Sequence, residues 1–416
     1  MKVAVIGGGS TYTPELADGI GRLLPDVTDF VLVDPDQDRL AAVGPVSARI
    51  VAAHDHPARV SWTSNLDEGT EGADAILFQL RIGGQAARQR DETWPLDCGC
   101  VGQETTGAGG LAKALRTVPV VLDLAERASR RASPSAFIID FTNPVGIVTR
   151  ALLTAGHRAV GLCNVAIGYQ RDFAALLGVA PGRVSLGHVG LNHLTWERSV
   201  LLDGVDVLPE LLAKHADEIA PHTGMPADFI RHLGMVPSSY LRYYYAHDAV
   251  VESLRGATTR AEEVARLETE LLELYADPAL RTKPPQLAQR GGAWYSEAAV
   301  DLLVSLAGDR QDVQVVNTLN HGTLPFLPDD AVIEVPAVIG SAGANPVPID
   351  PVKPLLRGLI AHVYAYEELA LDAALRGGRD RVYDALLAHP LVGQADQAQC
   401  LTDRLIAENA SFLSWT

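Results

Sequence analysis

Cys163 and His193 stand thirty positions apart, each inside a short apolar stretch. Val160-Gly161-Leu162-Cys163-Asn164 reads as the end of a buried strand, and Gly190-Leu191-Asn192-His193-Leu194-Thr195-Trp196 as part of an extended run. A thiolate and a neutral imidazole suit a divalent transition metal, and two protein ligands leave coordination positions open for substrate oxygens. A buried free cysteine and a hydrogen-bonded core histidine would give the same pattern. The pair therefore takes its meaning from the elements that position it.

Those elements begin at the first residues. Lys2-Val3-Ala4-Val5-Ile6 reads as a short strand, followed by Gly7-Gly8-Gly9-Ser10-Thr11-Tyr12-Thr13-Pro14 and a helical pattern. Thr13 before Pro14 suits an N-cap with proline at the first helical position. Strand, glycine turn and helix start together form a phosphate cradle, with Gly7, Gly9, Ser10 and Thr11 as the expected contacts. The glycine pattern departs from G-x-G-x-x-G, because Tyr12 takes the place of the third glycine. A second apolar run at 30–33 ends in Asp34, 25 residues beyond Gly9. An acidic side chain there accepts from ribose hydroxyls and repels a 2′-phosphate, which favours NAD over NADP. Asp36 is placed to share that role.

Further strands are expected at 60–63, 75–80, 136–140 and 159–162, with helical patterns between them. This alternation implies an α/β fold whose N-terminal part is a Rossmann-like, doubly wound parallel sheet. We expect an NAD-binding domain over 1–165 and a mainly helical α+β domain over 166–416, carrying substrate, metal and subunit contacts. Ligands of such sheets lie outside the carboxyl ends of the strands. Three polar outcrops follow those ends: Arg81 to Glu92 with Arg88, Phe141-Thr142-Asn143-Pro144, and Cys163-Asn164. Between them Val101-Gly102-Gln103-Glu104-Thr105-Thr106-Gly107-Ala108-Gly109-Gly110 reads as a tight loop before a helix, although a glycine-rich turn with a solvated Glu104 would look alike.

At 416 residues, 47% hydrophobic and 20% charged, the chain is long enough for two domains and has the make-up of a globular protein. It has no apolar run of membrane-spanning length and enters a strand at once, which points to the cytoplasm and no membrane partner. A net charge of −17 argues against a nucleic-acid binder and requires local arginines for any anionic substrate. Four cysteines are too few and too oddly spaced for a disulfide framework, and Cys98-Gly-Cys100 reads as incidental. Strands are expected at 184–201 and 205–208, and at 313–317 and 331–335. Helices are expected at 209–220, 227–233, 240–250, 258–275, 294–306, 352–376, 379–388 and 394–409. On the helix at 240–250, Tyr240, Tyr243 and Tyr244 form a stripe that packing alone would also produce. A homodimer or homotetramer is expected.

The motifs VIGGGSTYTPEL, RQRDE, VGQETTGAGG, DFTNPVGIVTRALL, GLCN, GLNHLTW, SYLRYYY and TTRAEEV run in order from residue 3 to about 264, and RGGAWYSEAAVDL extends them. In this string the chain resembles glycoside hydrolase family 4 and, within it, the 6-phospho-β-glucosidases. That family departs from the two-carboxylate rule of glycosidases by depending on NAD. The resemblance implies a divalent cation, usually Mn²⁺, at Cys163 and His193, and Tyr240 as catalytic base, with Glu104 acting on that tyrosine's basicity. It implies substrate contacts at Arg88, Asn143 and Arg260, with Arg290 a weaker candidate. Asn164 stands where α-specific members carry an acidic aspartate; an amide donates no proton as an acid, which favours a β-glycoside, a phosphorylated disaccharide or aryl β-glucoside. Ala166 replaces a proline more usual after the CN pair. Two other functions share the same nucleotide fold: an NAD-dependent hydroxy-acid dehydrogenase and a non-catalytic NAD-binding sensor.

Overall fold

A computed structural model describes residues 1–291 and 294–416. Gly292 and Ala293 of the RGGAWYSEAAVDL motif lie outside the described residues. Six strands in the first part, β1 (Lys2–Ile6), β2 (Asp29–Val33), β3 (Arg59–Thr63), β4 (Ala75–Phe78), β5 (Phe137–Asp140) and β6 (Ala159–Gly161), are parallel and ordered β6-β5-β4-β1-β2-β3. This is the doubly wound order of a Rossmann-like sheet, as the alternating pattern requires. Apolar residues alternate between the faces: Val3, Val5, Phe30 and Leu32 join one core, while Ala4, Ile6, Val31 and Val33 join the other. A sheet covered on both faces explains why these strands read as continuous apolar runs.

The second part adds β7 (Val184–Leu191), β8 (Leu194–Leu202), β9 (Val205–Asp206), β10 (Val236–Pro237), β11 (Asp312–Leu319), β12 (Val332–Gly340) and β13 (Gly343–Pro346). These pair antiparallel and continue the same sheet, because β11 meets β6 at Asn317 and Gly161, and β12 meets β7 at Glu334 and Gly190. The junction needs glycine at 161, where a Cβ would come within 2.2 Å of Thr149 Oγ1. Among the described residues the sheet has thirteen strands. Helices dominate the rest of this part, among them Leu208–Thr223, Arg260–Tyr275, Tyr295–Gly308, Pro354–Arg376 and Ala395–Asn409. Among the described residues no helix is long and apolar enough to cross a membrane.

Four local readings change. The 190–196 stretch is not one extended run but a hairpin: Leu191 pairs with Leu194 and His193 turns at φ 61°. A two-residue connection requires such a conformation, which histidine tolerates better than a β-branched residue. Thr13 is not the cap of the first helix but its first residue, in Thr13–Leu23; its Oγ1 donates to Gly8 O at 2.9 Å and accepts from Gln79 at 2.7 Å. The helix expected at 240–250 is broken, with Tyr240 in a 3₁₀ turn (Ser239–Leu241) ahead of Arg242–Tyr245 and His247–Leu254. Its aromatic rings then go to different neighbours. Finally, Cys98 is not incidental: it forms a disulfide with Cys400, 302 positions away, a partner that local spacing cannot reveal.

Candidate active site

The carboxyl ends of β1, β4 and β5 open into a cavity of about 570 Å³. Its wall includes Gly7, Ser10, Asp34, Arg88, Glu104, Asn143, Asn164, His193, Tyr240 and Arg260, so ten of the residues singled out above meet there. Gly9 and Thr11 lie in the loop behind it. Cys163 borders a neighbouring cavity of about 300 Å³ instead.

At the glycine loop, Gly8 packs so tightly on β2 that a Cβ would approach Leu32 Cβ to 2.7 Å. Asp34 accepts from Gly9 N and from Asp36 N, each at 3.0 Å and each on a different oxygen. A carboxylate has about four acceptor directions, so roughly two remain for hydroxyl donors. Burial raises its pKa, against those backbone donors. Asp36 itself is occupied as the N-cap of Gln37–Ala53. Arg290, half-buried, donates to Thr11 Oγ1 at 2.8 Å and to Glu268 at 2.9 Å, which sets a cation against the loop.

The RQRDE and GQETT motifs build the adjoining wall. Gly102 and Gly109 allow the loop to press onto the helix Gly84–Asp97, since Cβ atoms there would meet Glu92 O at 2.0 Å and Asp91 O at 2.6 Å. Glu104 lies at the centre of three cations: Arg81 and Lys113 on one oxygen, Arg88 at 3.2 Å on the other. Burial alone would raise the Glu104 pKa; these cations override it and hold the carboxyl well below its usual range. Lys113, in the helix Gly107–Arg131, is pushed down to about 7 by burial and by Arg81. Glu92 holds Arg88 at 2.7 Å with one oxygen and the Ala261 N–H at 2.8 Å with the other. This ties Arg260–Tyr275 to the same wall. TTRAEEV begins that helix with a capping box between Thr259 and Glu262. Arg260 sits at the exposed rim, donating to Glu263 and to Gln289 O.

The hairpin turn brings His193 to Tyr240 and its neighbour Asn192 to Cys163. His193 stacks on Tyr240 with ring centroids 3.6 Å apart and planes 8° from parallel. Burial lowers the His193 pKa to about 4, so the ring is neutral and keeps a lone pair. Cys163 follows β6, and its thiol pKa is raised by burial and by Glu334, while hydrogen bonds from Asn192 and Tyr295 pull the other way. Burial, then Cys163, Tyr243 and Glu104, push the Tyr240 pKa well above that of a free phenol; Arg88 opposes them. A cation among these groups is therefore the natural way to favour thiolate and phenolate.

Behind the turn lies a polar network not anticipated from sequence. His188 on β7 contacts Glu197 at 2.6 Å and Glu334 at 3.2 Å, and all three are at most 1% exposed. Burial disfavours the His188 cation, yet the two carboxylates raise its pKa to about 10. The other oxygen of Glu334 accepts from Asn192 at 2.8 Å and Asn317 at 3.2 Å. His188 and Glu334 are invisible as a pair in sequence, being 146 positions apart. Arg81, Lys113, Glu268 and Tyr295 were also missed; of these Arg81 had a signal, directly after an expected strand, and Tyr295 another, inside RGGAWYSEAAVDL.

A Rossmann-like sheet with this polar cavity at its strand ends defines a nucleotide-dependent α/β enzyme. The family description "Family 4 glycosyl hydrolase" matches residues 2–179, and "Family 4 glycosyl hydrolase C-terminal domain" matches 188–392. The chain belongs to glycoside hydrolase family 4, a family of glycosidases. It is 37% identical to a probable 6-phospho-beta-glucosidase of Bacillus subtilis, over 99% of this chain and 97% of that one. It superposes with a TM-score of 0.93 on the 6-phospho-beta glucosidase of Thermotoga maritima bound to NAD and glucose-6-phosphate, at 32% identity and 99% coverage of both chains. A second structure of that enzyme, with manganese, NAD⁺ and glucose-6-phosphate, gives a TM-score of 0.93 at 31% identity, again with 99% of both chains covered.

Proposed function

We propose that this chain hydrolyses 6-phospho-β-glucosides, in phosphorylated disaccharides or aryl β-glucosides, with NAD and a divalent cation such as Mn²⁺. The reading is carried by one observation: the glycine loop, Asp34, the arginine wall, Tyr240 and His193 share a single cavity. The relatives' names and bound ligands support it.

The residues fit the groups they would hold. Gly7, Gly9, Ser10 and Thr11 would take the pyrophosphate, and Asp34, with unused acceptor directions, the ribose of NAD. Among the described residues no cluster of three or more His, Cys, Asp or Glu offers a closed metal cage. In this reading His193 on the cavity wall and Cys163 on the neighbouring cavity would hold the cation, with positions left for substrate oxygens. The amide oxygens of Gln79, Gln85 and Asn143 are buried with no hydrogen-bond partner among the described residues, and all three residues border the cavity, as suits a ligand rich in hydroxyls.

When bound, NAD⁺ supplies a hydride acceptor for C3 and the cation a Lewis acid for the C2 and C3 oxygens. C3 oxidation, C2 deprotonation, C1 elimination, water addition and C3 reduction can then follow in turn. Tyr240 takes the C2 proton as base, a role that its raised pKa makes strong and its Arg88 neighbour makes accessible. Glu104 fixes Arg81, Arg88 and Lys113 in place and adds a minor negative field at Tyr240. Arg88, Asn143 and Arg260 bind the substrate, with guanidinium forks suited to phosphate oxygens. Asn164 orients the glycoside and gives no proton. In this reading 1–165 is the NAD domain and 166–416 carries substrate, metal and subunit contacts of a cytoplasmic homodimer or homotetramer.

The test offers p-nitrophenyl β-glucoside with and without a 6-phosphate, in the presence of NAD⁺, Mn²⁺ and a reductant. Nitrophenol release from the phosphorylated compound, with no net absorbance change at 340 nm and a rate slowed by deuterium at C2, is expected. Steady NADH accumulation would identify a dehydrogenase, and NAD binding without release from any glycoside a sensor.

A further inference from the structure

The loop Gln103-Glu104-Thr105-Thr106 does more than carry Glu104: its hydroxyl and amide groups form a directed chain that ends on His193. Gln103 Oε1 accepts from the backbone N–H groups of Thr105 and Thr106. Two such donors identify that atom as the carbonyl oxygen, which can only accept. Thr105 Oγ1 lies 2.9 Å from the same oxygen and 3.0 Å from His193 Nδ1. A hydroxyl has one proton, and here it must go to Gln103. The contact with the ring is then satisfied only when His193 Nδ1 carries a proton and donates it to Thr105.

We propose that Thr105 is a positioning residue that fixes His193 as its Nδ1–H tautomer, leaving the lone pair on Nε2 for a divalent cation. This rests on the reading of His193 as a metal ligand. In the opposite tautomer, Thr105 would have to donate to Nδ1. Its oxygen would then face Gln103 Oε1 at 2.9 Å with no proton between them, and Nε2–H would shut out a cation. The loop backbone packs closely on the start of the helix that follows, where a Cβ on Gly110 would meet the Thr105 carbonyl carbon at 2.7 Å. Histidine ligands depend on such outer partners for orientation and basicity.

The experiment reads the tautomer and the metal separately. Metal-free protein labelled with ¹⁵N-histidine, with His193 assigned by its loss in His193→Gln, should show a protonated Nδ1 and an unprotonated Nε2 in long-range ¹H–¹⁵N correlation spectra. Thr105→Val should move the proton to Nε2 and weaken Mn²⁺ binding, followed by electron paramagnetic resonance, by roughly 10–100-fold. Thr105→Ser should restore both. A wild-type ring protonated at Nε2, or a valine variant with unchanged shifts and Mn²⁺ affinity within twofold of wild type, would overturn the proposal. Wild-type protein whose Mn²⁺ binding is untouched by Cys163→Ser and His193→Gln would instead remove the metal site, while the nitrogen shifts still decide what Thr105 does.

Discussion

Replacing His188 by glutamine removes the cation from a triad in which every member is at most 1% exposed. Glu197 and Glu334 are then left as two buried carboxylates with no counter-charge, a loss of about 3–5 kcal/mol by analogy with broken buried ion pairs. Linkage points in the same direction. The His188 pKa rises from 6.5 to about 10, and at about 1.36 kcal/mol for each unit this amounts to roughly 5 kcal/mol. The sign follows from the direction of the shift. A raised histidine pKa stabilises the fold fully below the unfolded value of 6.5, and the contribution is lost as pH climbs through about 10. For a chain of 416 residues, an unfolding entropy of about 2.1 cal/mol/K per residue converts 3–5 kcal/mol into a Tm drop of about 3–6 °C. Differential scanning calorimetry of wild type and His188→Gln from pH 7 to 10.5 should show that gap at pH 7 and see it close by the alkaline end. A gap under about 1 kcal/mol at pH 7, or one that stays constant across the range, would mean that His188 is not held as a cation between the two glutamates.

Tyr240→Phe should reduce turnover of the phosphorylated aryl glucoside by about 10²–10⁴-fold, the usual contribution of a general base, while NAD binding by fluorescence titration stays unchanged; a loss under tenfold would exclude Tyr240 as the base. Asp34→Ala should raise the NAD dissociation constant by roughly tenfold, or about 1.4 kcal/mol, and narrow the preference over NADP, measured by the same titration. An unchanged preference would move the ribose contact elsewhere. Cys400→Ser, or thiol reduction, opens a loop of about 300 residues and should lower stability by up to about 6 kcal/mol on a chain-entropy estimate. Equal thermal midpoints for oxidised and reduced protein would show that the Cys98–Cys400 link adds nothing to the fold.

The parts of this molecule legible in its sequence are those whose partners lie nearby in the chain. The apolar runs, the glycine turn and Asp34 lie within 33 residues of one another, so strand, turn and helix constrain each other locally. The helices Ala227–Leu233 and Arg379–Ala388 have the bounds expected of their patterns. Errors enter where two periodicities compete. An apolar run such as 190–196 reads as one strand until the turn at His193 divides it, because register and hairpin geometry are tertiary facts. Tyr240, Tyr243 and Tyr244 suggest one helical stripe, yet the helix is broken after a 3₁₀ turn at Ser239–Leu241, and Tyr240 stacks on His193 while Tyr244 faces His389. The site divides along the same line. Residues that follow parallel strands could be found by position, since the fold dictates where strand ends point. The groups that govern their charge, His188, Glu334 and Lys113, sit inside elements where a polar residue looks like a solvated face. Only closure of β7 against β12 turns Glu334 inward beside Asn192 and Asn317, and in that dry position its charge acts on Cys163 and His193.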